Sequence, residues 1–280
     1  MSIKTLLVYL PSEKNAEAIM SIAAKIAAPR KAHIIGLHII PDLPVYGEFP
    51  AEVSAEVLES LMKAKRDTAA AAKRVFEAAT AHLDSVTSEW RQYTASYVLG
   101  ADLIAQQGRS ADLILCGKPS DDVPDNWSDA AEIAIMRSGR PVLVVPTSPV
   151  PEQLGTHAVV AWNGTREAAR AIFDSLDLLR DASTVRVVTF ISHENERAAA
   201  QSSGSNVIAN LSRHRIPASL DISYASGAGA GDAILSSLID EGCDLLVMGA
   251  YSHSRFREMI FGGASREILR ESWVPTLLSH

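Results

Sequence analysis

Short apolar runs alternate along the chain with longer stretches in which apolar residues recur every three or four positions. The first run covers residues 5–9, and helical spacing follows over residues 16–26. The same order appears again at residues 157–162 and 168–179. A short apolar run is typical of a buried strand, and helical spacing is typical of an amphipathic helix. Strands that alternate with helices predict a parallel sheet with helices on both faces.

The whole pattern occurs twice, and the later strands of the two copies follow in the same order. These paired strands are residues 33–39 and 185–191, 111–117 and 243–249, and 140–145 and 274–278. A proline-rich piece, residues 146–151, lies between the copies and is predicted to be a linker. The sequence therefore predicts two tandem α/β domains, 1–147 and 152–280. The first copy is longer, mainly because residues 41–60 have no counterpart in the second.

Composition and charge narrow the class of protein. Hydrophobic residues make up 47% of the 280 residues and charged residues 21%, which is enough to form buried cores. The formal net charge of −7, with no long run of either sign, argues against a nucleic-acid partner. No apolar run approaches the ~20 residues of a membrane helix, and the N-terminus lacks a signal-peptide pattern. We therefore expect a cytoplasmic protein with no membrane partner.

The cysteines and strand histidines favour structural roles. Cys116 and Cys243 lie in or beside apolar runs, so we expect buried, reduced thiols. No histidine cluster accompanies them, and the sequence predicts no metal site. His33 and His38 lie in or at the end of an apolar strand, where a satisfied structural histidine is the favoured interpretation.

The segment richest in candidate chemistry is residues 244–265, in which an apolar run ends at a glycine and a second glycine step precedes a predicted helix. Glycines let a backbone come close to a ligand, and free amides at a helix start favour phosphate oxygens. The residues that would form this anion-binding cradle are Gly249, Ser252, His253, Arg255, Gly262, Gly263, Ala264 and Ser265. The alternative is a strand-to-helix turn without a ligand, since short glycine patterns are weak signals.

The corresponding segment of the first copy, residues 118–127, differs in charge. It has three carboxylates and no glycine, whereas the second copy carries Arg255 and Arg257. Carboxylates placed beside a phosphate in a partly dry site repel it. We therefore expect one working site, in the second copy, and a degenerate first copy. The alternative is that these are two divergent surface loops.

Two further patterns concern helix starts. A glycine-rich stretch, residues 227–232, does not fit a dinucleotide fingerprint, and Asp232 is predicted to be an N-cap. Ser12 and Thr165 are the predicted N-caps of the helices that follow the first strand of each copy. The chain has no Gly-x-x-x-x-Gly-Lys-Ser/Thr motif, which argues against a P-loop triphosphatase.

The second copy resembles the universal stress protein family, and the whole chain is similar to its tandem, two-domain form. In nucleotide-binding members the fourth strand is followed by Gly, two residues, Gly, nine residues, Gly and a hydroxyl residue. Here Gly249 and Gly262 match the first and third glycines. Ser252 replaces the second glycine, and Gly263 replaces the hydroxyl residue. Ser265, two positions further on, could supply a hydroxyl group instead.

The resemblance implies two Rossmann-like domains of the adenine nucleotide alpha hydrolase-like type, each with a five-stranded parallel sheet. It also implies ATP at the crevice, with ADP or AMP as alternative ligands; whether Mg²⁺ accompanies the nucleotide stays open. The family's acidic residue near adenine is Asn163 here. Dimerisation through the last strand implies that Val142–Val145 pairs with Thr276–Leu278 within one chain. The chain would then be a pseudo-dimer, and a homodimer of whole chains stays open.

We expect adenine and ribose to lie near Trp162, Asn163 and Phe190, at the ends of the first two strands of the second copy. Packing is the favoured alternative for Trp162, as for many strand-end tryptophans. The phosphates would contact the cradle residues named above. No catalytic residue is evident, although slow ATP hydrolysis by a loop-positioned water stays open. The expected function is a nucleotide-binding stress-response sensor or regulator; the alternative is an interaction or scaffold module of the same fold without nucleotide.

Overall fold

The structure is a computed structural model that describes residues 2–42, 54–119, 130–147, 150–225, 229–239, 242–251 and 263–280. Its strands are β1 (Thr5–Tyr9), β2 (His33–Pro41), β3 (Ser88–Ala95), β4 (Leu113–Gly117), β5 (Val142–Val145), β6 (His157–Ala161), β7 (Thr184–Ile191), β8 (Ala218–Tyr224), β9 (Leu245–Gly249) and β10 (Thr276–Ser279). Its α-helices are α1 (Glu13–Arg30), α2 (Ala55–Thr80), α3 (Tyr97–Gly108), α4 (Ala130–Arg137), α5 (Arg166–Leu179), α6 (Arg197–Arg213), α7 (Ala230–Ile239) and α8 (Gly263–Glu271).

The strands in these ranges form one sheet, in the order β3-β2-β1-β4-β5-β10-β9-β6-β7-β8. The five strands of each half are parallel to one another. The halves join where β5 and β10 run antiparallel, with Leu143 opposite Leu277. The predicted α/β fold class is confirmed, and the join pairs the two strands that the family resemblance implied.

Two helical layers cover the sheet, and the strand residues alternate between them. Leu6 and Val8 face a core that includes α1, α2, α5 and α6, here called the α1 face. Leu7 and Tyr9 face a core that includes α3, α4, α7 and α8, here called the α3 face. Because both faces are covered, the central strands consist of continuous apolar runs rather than alternating ones.

The predicted helix caps have different outcomes. Thr165 caps α5, since its side chain accepts a hydrogen bond from the Ala168 amide at 3.3 Å. Ser12 lies at the N-cap of α1, but its side chain makes no capping hydrogen bond. The prediction for Asp232 is wrong, because α7 already begins at Ala230 and places Asp232 in its first turn. A carboxylate in the first turn still interacts favourably with the helix dipole.

An aspartate before the fourth strand of each half holds the start of that half's first strand. Asp112 accepts hydrogen bonds from the backbone amides of residues 4 and 5 at 2.8 and 2.9 Å. Asp244 accepts hydrogen bonds from the amides of residues 155–157 at 2.9, 2.9 and 3.1 Å. Both aspartates lie at the amino ends of the strands, away from the edge where ligands bind in such sheets. They are structural equivalents that show the internal repeat.

Helices α1 and α5 carry an ion pair across the join between the halves. Arg30 Nε donates to the Asp177 carboxylate at 2.7 Å, and its Nη2 donates to the Asp177 carbonyl at 2.6 Å. The Ile3 amide donates to the same carboxylate at 3.1 Å. The two side chains are 13% and 7% exposed. Burial alone would raise the pKa of Asp177, but the bonds from Arg30 and Ile3 and the charge of Arg30 outweigh it and lower that pKa.

His38 has the structural role predicted for it. It is buried, its Nδ1 lies 2.7 Å from the Leu10 carbonyl oxygen, and its ring stacks on Trp90 with 6.2 Å between centroids. Burial lowers the pKa of His38, which favours the neutral ring. His33 is half-buried, and its Nδ1 lies 2.8 Å from Oγ1 of the exposed Thr87.

Both cysteines are buried free thiols, as expected. Burial raises the pKa of Cys116 to about 12 and that of Cys243 to about 11. Thiolates are therefore scarce at neutral pH, and neither thiol suits a nucleophilic hydrolase. Among the described residues, no group of three or more His, Cys, Asp or Glu side chains could hold a metal ion. The helices in these ranges include none that is both long and apolar enough to cross a membrane.

Candidate functional site

A cleft opens at the carboxyl ends of the strands in the second half of the chain. It lies where the strand order reverses between β6 and β9, which is the usual ligand position in open α/β sheets. Residues from β6, β7, β9 and the starts of α7 and α8 line it: Ala161, Trp162, Asn163, Val188, Phe190, Ala230, Ile234, Met248, Gly249, Ala264 and Ser265. The cleft has a cavity volume of about 160 Å³ and is partly open to solvent. Its mostly apolar lining with a few polar groups is typical of a small-molecule site.

Most of the predicted site residues that the structure describes meet at this cleft. Those that line it are Trp162, Asn163, Phe190, Gly249, Ala264 and Ser265. Gly263 is the first residue of α8 and directly precedes two of them. Ser252, His253, Arg255 and Gly262 lie outside the described residues, as do most of the carboxylate-rich residues 118–127. The structure therefore describes the part of the predicted site at the strand ends. The part that contains Ser252, His253, Arg255 and Gly262 stays a prediction.

Gly249 ends β9 beside the first turn of α5. A Cβ at this position would lie 2.4 Å from the Ala168 backbone nitrogen and 2.6 Å from the Glu167 carbonyl carbon. These distances are far inside van der Waals contact, so only glycine lets α5 pack this close to the strand. The sequence interpretation assigned Gly249 to ligand approach. The packing of helix on strand is a sufficient physical reason for it.

Asn163 follows β6 and turns its side chain back onto its own loop. Its Oδ1 accepts hydrogen bonds from the Thr165 hydroxyl at 2.8 Å and from the Thr165 amide at 3.2 Å. An asparagine oxygen commonly closes a turn in this way and then serves the loop rather than a ligand. The amide nitrogen of Asn163 carries two further N–H donors.

The two aromatic residues of the predicted site differ in environment. Trp162 packs against the α1-face core, and its indole Nε1 donates to Ser203 Oγ on α6 at 2.9 Å. This hydrogen bond agrees with the packing interpretation of Trp162. Phe190 packs against the α3-face core and is partly exposed at the cleft. Phe190 is therefore the aromatic side chain better placed to contact a planar ligand.

The loop after β9 is held to the start of α8. Tyr251 has a φ of 52°, in the left-handed region that bulky residues rarely adopt. Its backbone amide donates to the Ser265 hydroxyl at 3.1 Å, and Ser265 is almost fully buried. The Ser265 hydroxyl thus accepts a backbone bond and retains its own O–H as a donor. Sequence reasoning missed Tyr251, since nothing local signals its conformation.

Five lining residues were also missed by sequence reasoning, namely Ala161, Val188, Ala230, Ile234 and Met248. They are apolar and read as ordinary core positions in the sequence. A usable signal is their location, because Ala161 and Met248 are paired across β6 and β9 at the strand ends where the crevice must open.

Carboxylates meet beside the cleft where α7 and α8 pack. A Cβ at Gly231 would lie 1.8 Å from a Glu267 carboxylate oxygen, so glycine makes room for that side chain. Burial, a hydrogen bond with Asp232 and the charges of Asp232 and Glu271 raise the pKa of Glu267. Because Glu267 lies one turn after Ala264, its protonation would reduce the negative charge near the start of α8.

Comparison with known proteins gives a sequence relative and a set of structural neighbours. No protein-family model matches the chain. The chain is similar to the universal stress protein Slr1230 of Synechocystis sp., with 24% identity over 140 residues. That match covers 49% of this chain and 46% of the relative, so it spans about half the length of each.

Among solved structures, a universal stress protein from Archaeoglobus fulgidus DSM 4304 has a TM-score of 0.67 and 15% identity, over 98% of this chain and 95% of that one. A shorter universal stress protein from Archaeoglobus fulgidus, solved in complex with dAMP, covers 52% of this chain with 99% of its own length. Its TM-score is 0.33 with 15% identity, which supports no inference about the ligand here.

The fold and the strand-end cleft define the class: a tandem α/β protein whose two halves share one continuous sheet. Within this class, the sequence relative and the full-length structural neighbour are both universal stress proteins. The resemblance of the chain to the tandem-domain universal stress protein family is thereby confirmed.

Proposed function

We propose that this chain binds an adenine nucleotide in the cleft of its second half and acts in the cytoplasm as a stress-response sensor or regulator. The observation that supports this most directly is the cleft itself. It is an open, mostly apolar slot at the strand ends, and one of its walls is the N-terminus of a helix. An apolar slot suits a flat base, and a helix start suits a phosphate.

The apolar end of the cleft would hold the base. Val188, Phe190 and Met248 supply carbon surface from three elements, and Ala161 leaves space between them. Asn163 lines this end of the cleft and would lie beside the base or the ribose, where amide groups can bond to ring nitrogens and hydroxyl oxygens. These contacts select a flat, partly apolar ligand with a few acceptors, and adenosine has this character.

The α8 end of the cleft would hold the phosphates. The first amides of a helix have no partner within the helix, so the amides of residues 263–265 are candidate donors. Ser252, His253, Arg255 and Gly262 are proposed to complete the phosphate site. ATP is the proposed ligand, ADP and AMP are alternatives, and Mg²⁺ would accompany the phosphates.

The chain would consist of two domains of different function. The two domains would be residues 1–147 and 152–280, with nucleotide only in the second. The β5–β10 join makes the chain a pseudo-dimer, and a homodimer of whole chains would use other surfaces. No side chain at the cleft is assigned as a catalytic base, and slow hydrolysis would depend on a water positioned by the loop.

A second candidate function is an interaction module that binds no nucleotide. Two observations favour it: Asn163 uses its oxygen on Thr165, and helix packing accounts for Gly249. Both residues would then be maintained by the fold rather than by a ligand. In that case the cleft would be a passive feature of the sheet.

The test is calorimetric titration of the full chain with ATP and, separately, with adenosine. We expect the parent to bind both, and we expect the Ala264→Asp variant to bind ATP at least about tenfold more weakly. Like charges about 4 Å apart cost ~4 kcal/mol at an effective dielectric of about 20. An aspartate in the first helical turn is otherwise favourable to the helix, so the variant should fold.

Adenosine serves as the control ligand, because it has no phosphate for the new carboxylate to repel. Its affinity should be the same for the parent and for Ala264→Asp. If the parent binds none of ATP, ADP and AMP at millimolar concentration, the proposal is wrong and the interaction module is favoured. If Ala264→Asp lowers the affinities for ATP and for adenosine equally, the α8 end of the cleft does not hold the phosphates.

A further inference from the structure

The two halves carry very different side chains at one equivalent position of the crevice. Tyr9 ends β1 opposite Leu37 of β2, just as Ala161 ends β6 opposite Val188 of β7. In both halves the amide of the next residue donates to the carbonyl of that partner, at 2.9 and 2.8 Å. The backbones therefore match at this position, where the second half has a methyl group and the first half has a phenol.

Tyr9 lies inside the protein, on the sheet face that the cleft occupies in the other half. It is 2% exposed and belongs to the α3-face core, and Cys116 of β4 is close enough to influence its ionisation. Burial and then Cys116 raise the pKa of Tyr9, so the phenol is neutral. In the described part of the chain its buried hydroxyl has no hydrogen-bond partner.

An unpaired buried hydroxyl costs about 1–3 kcal/mol, so phenylalanine would be the better residue if Tyr9 served packing alone. The neighbouring positions change in the opposite sense. Small Cys116 follows Leu115, the strand partner of Val8, and lies near the large Tyr9. In the second half the longer Met248 is paired with the small Ala161. In the first half the larger of the two side chains is therefore on the first strand, and in the second half it is on the fourth strand.

We propose that Tyr9 is a built-in plug that fills, in the first half, the space that Ala161 leaves open for a ligand in the second. The proposal rests on the proposed function in so far as it names which half takes nucleotide. The residue at the end of the first strand then selects the open half. The Tyr9 side chain is flat and partly polar, and its hydroxyl is unpaired. A side chain of this kind is what we expect in a slot that once held a ligand.

The helix before the last strand also differs between the halves. Ser265 of α8 and Ala131 of α4 each precede the proline-led last strand of their half by the same distance, 11 residues. Ser265 supplies a hydroxyl at the open cleft, and Ala131 is fully buried and supplies none. The first half has therefore lost both the space and a donor.

The main test uses Tyr9→Ala and p-cresol, which is the tyrosine side chain as a free molecule. We expect the melting temperature of Tyr9→Ala to fall by roughly 10 °C, as for a buried aromatic truncation in a chain of this size. We expect p-cresol at millimolar concentration to restore a large part of that loss. The rise should exceed the rise in the parent, whose second-half cleft serves as the internal control.

No nucleotide enters this measurement, so it distinguishes the plug from the proposed function. A p-cresol effect in Tyr9→Ala no larger than in the parent would mean that the site collapses, and the plug would be refuted. Tyr9→Phe covers the case in which Tyr9→Ala does not fold. Its melting temperature should equal or exceed that of the parent, because no hydrogen bond is lost. A lower value would show that the hydroxyl is needed, and would also overturn the proposal.

The reciprocal variant is Ala161→Tyr, which should close the second-half cleft. We expect the melting-temperature increase produced by AMP to be abolished, while p-cresol no longer stabilises this variant. Unchanged AMP stabilisation in Ala161→Tyr would refute the selecting role of this position. If the parent itself shows no AMP effect, the nucleotide proposal fails, and the p-cresol results alone decide whether Tyr9 is a plug.

Discussion

The two halves of this chain share a strand order and a register, but they differ at the strand ends: the second half has the cleft described above, and in the first half Tyr9 is buried at the position of Ala161. The frame around the crevice is the same in both, from the strand-end hydrogen bonds to the aspartates at the opposite edge. What differs is a few side chains, with Tyr9 standing where the second half has Ala161. If Tyr9 is the plug proposed above, room for a ligand in this sheet depends on the volume of one strand-end residue and not on the fold alone.

The halves also differ in how closely the first helix packs on the fourth strand. Gly249 has the backbone of Ala168 where a Cβ would be, at 2.4 Å. Its equivalent Gly117 has side-chain atoms of Asn15 and Ile19 at 3.4 Å instead. The asparagine side chain of Asn15 holds α1 further out, and the alanine at 168 lets α5 come in. The same glycine is therefore obligatory in one half and optional in the other.

The largest expected loss of stability comes from breaking an ion pair between the halves that has no symmetric counterpart. Asp177 of α5 binds Arg30 of α1, and the equivalent position in α1 is Ala24, so the pair is not repeated by symmetry. Asp177→Ala should lower the free energy of unfolding by about 3–5 kcal/mol, because it leaves a largely buried arginine without its partner. Urea denaturation measures this. The exposed neighbour Asp181→Ala is the control and should change it by less than about 0.5 kcal/mol.

The same carboxylate predicts a pH dependence. The pKa of Asp177 is lowered in the folded state, so its stabilisation is complete above its unfolded pKa of about 3.9. It is lost as pH falls through the lower folded pKa. The stability difference between the parent and Asp177→Asn should therefore be full at pH 7 and shrink below about pH 4. A difference that stays constant down to pH 2 would show that the carboxylate charge plays no part.

A second comparison concerns the paired aspartates. Asp244 is buried and holds three backbone amides, whereas Asp112 is more exposed and holds two. Asp244→Ala should cost about 3 kcal/mol because it leaves one buried and two partly buried amides unpaired. Asp112→Ala should cost ~1 kcal/mol because water can replace the carboxylate. Urea midpoints of the two variants test this. Equal losses would mean that solvent reaches both edges alike.

The last matched pair of variants compares the two glycines. Gly249→Ala should cost about 2 kcal/mol, since the new methyl overlaps the backbone of α5 and the helix must move away. Gly117→Ala should be close to neutral, because its neighbours are side-chain atoms at ordinary contact distance. Thermal denaturation of the matched pair gives the comparison. A tolerated Gly249→Ala would imply that α5 moves freely, and the packing explanation of Gly249 would be wrong.

Much of the fold was predictable because its determinants are local. Apolar spacing reflects burial, so the strand and helix order, the repeat and the parallel sheet followed from the pattern of residues alone. The cap at Thr165 was predictable for the same reason. Asp232 was not, because its helix begins three residues earlier than an N-cap at Asp232 would place it. Of the site, the strand-end residues Trp162, Asn163 and Phe190 could be placed, since their position depends only on where strands end.

The tertiary structure alone decided what these residues touch. Tyr9 and Ala161 read as similar apolar strand ends in the sequence, and their opposite effects on the crevice appear only when two strands and a helical layer surround them. The Arg30–Asp177 pair joins residues 147 positions apart. The Gly249 contact depends on how close a helix comes to a strand. Local sequence carries burial and turn preferences, whereas the volume left between distant segments is set only when they pack.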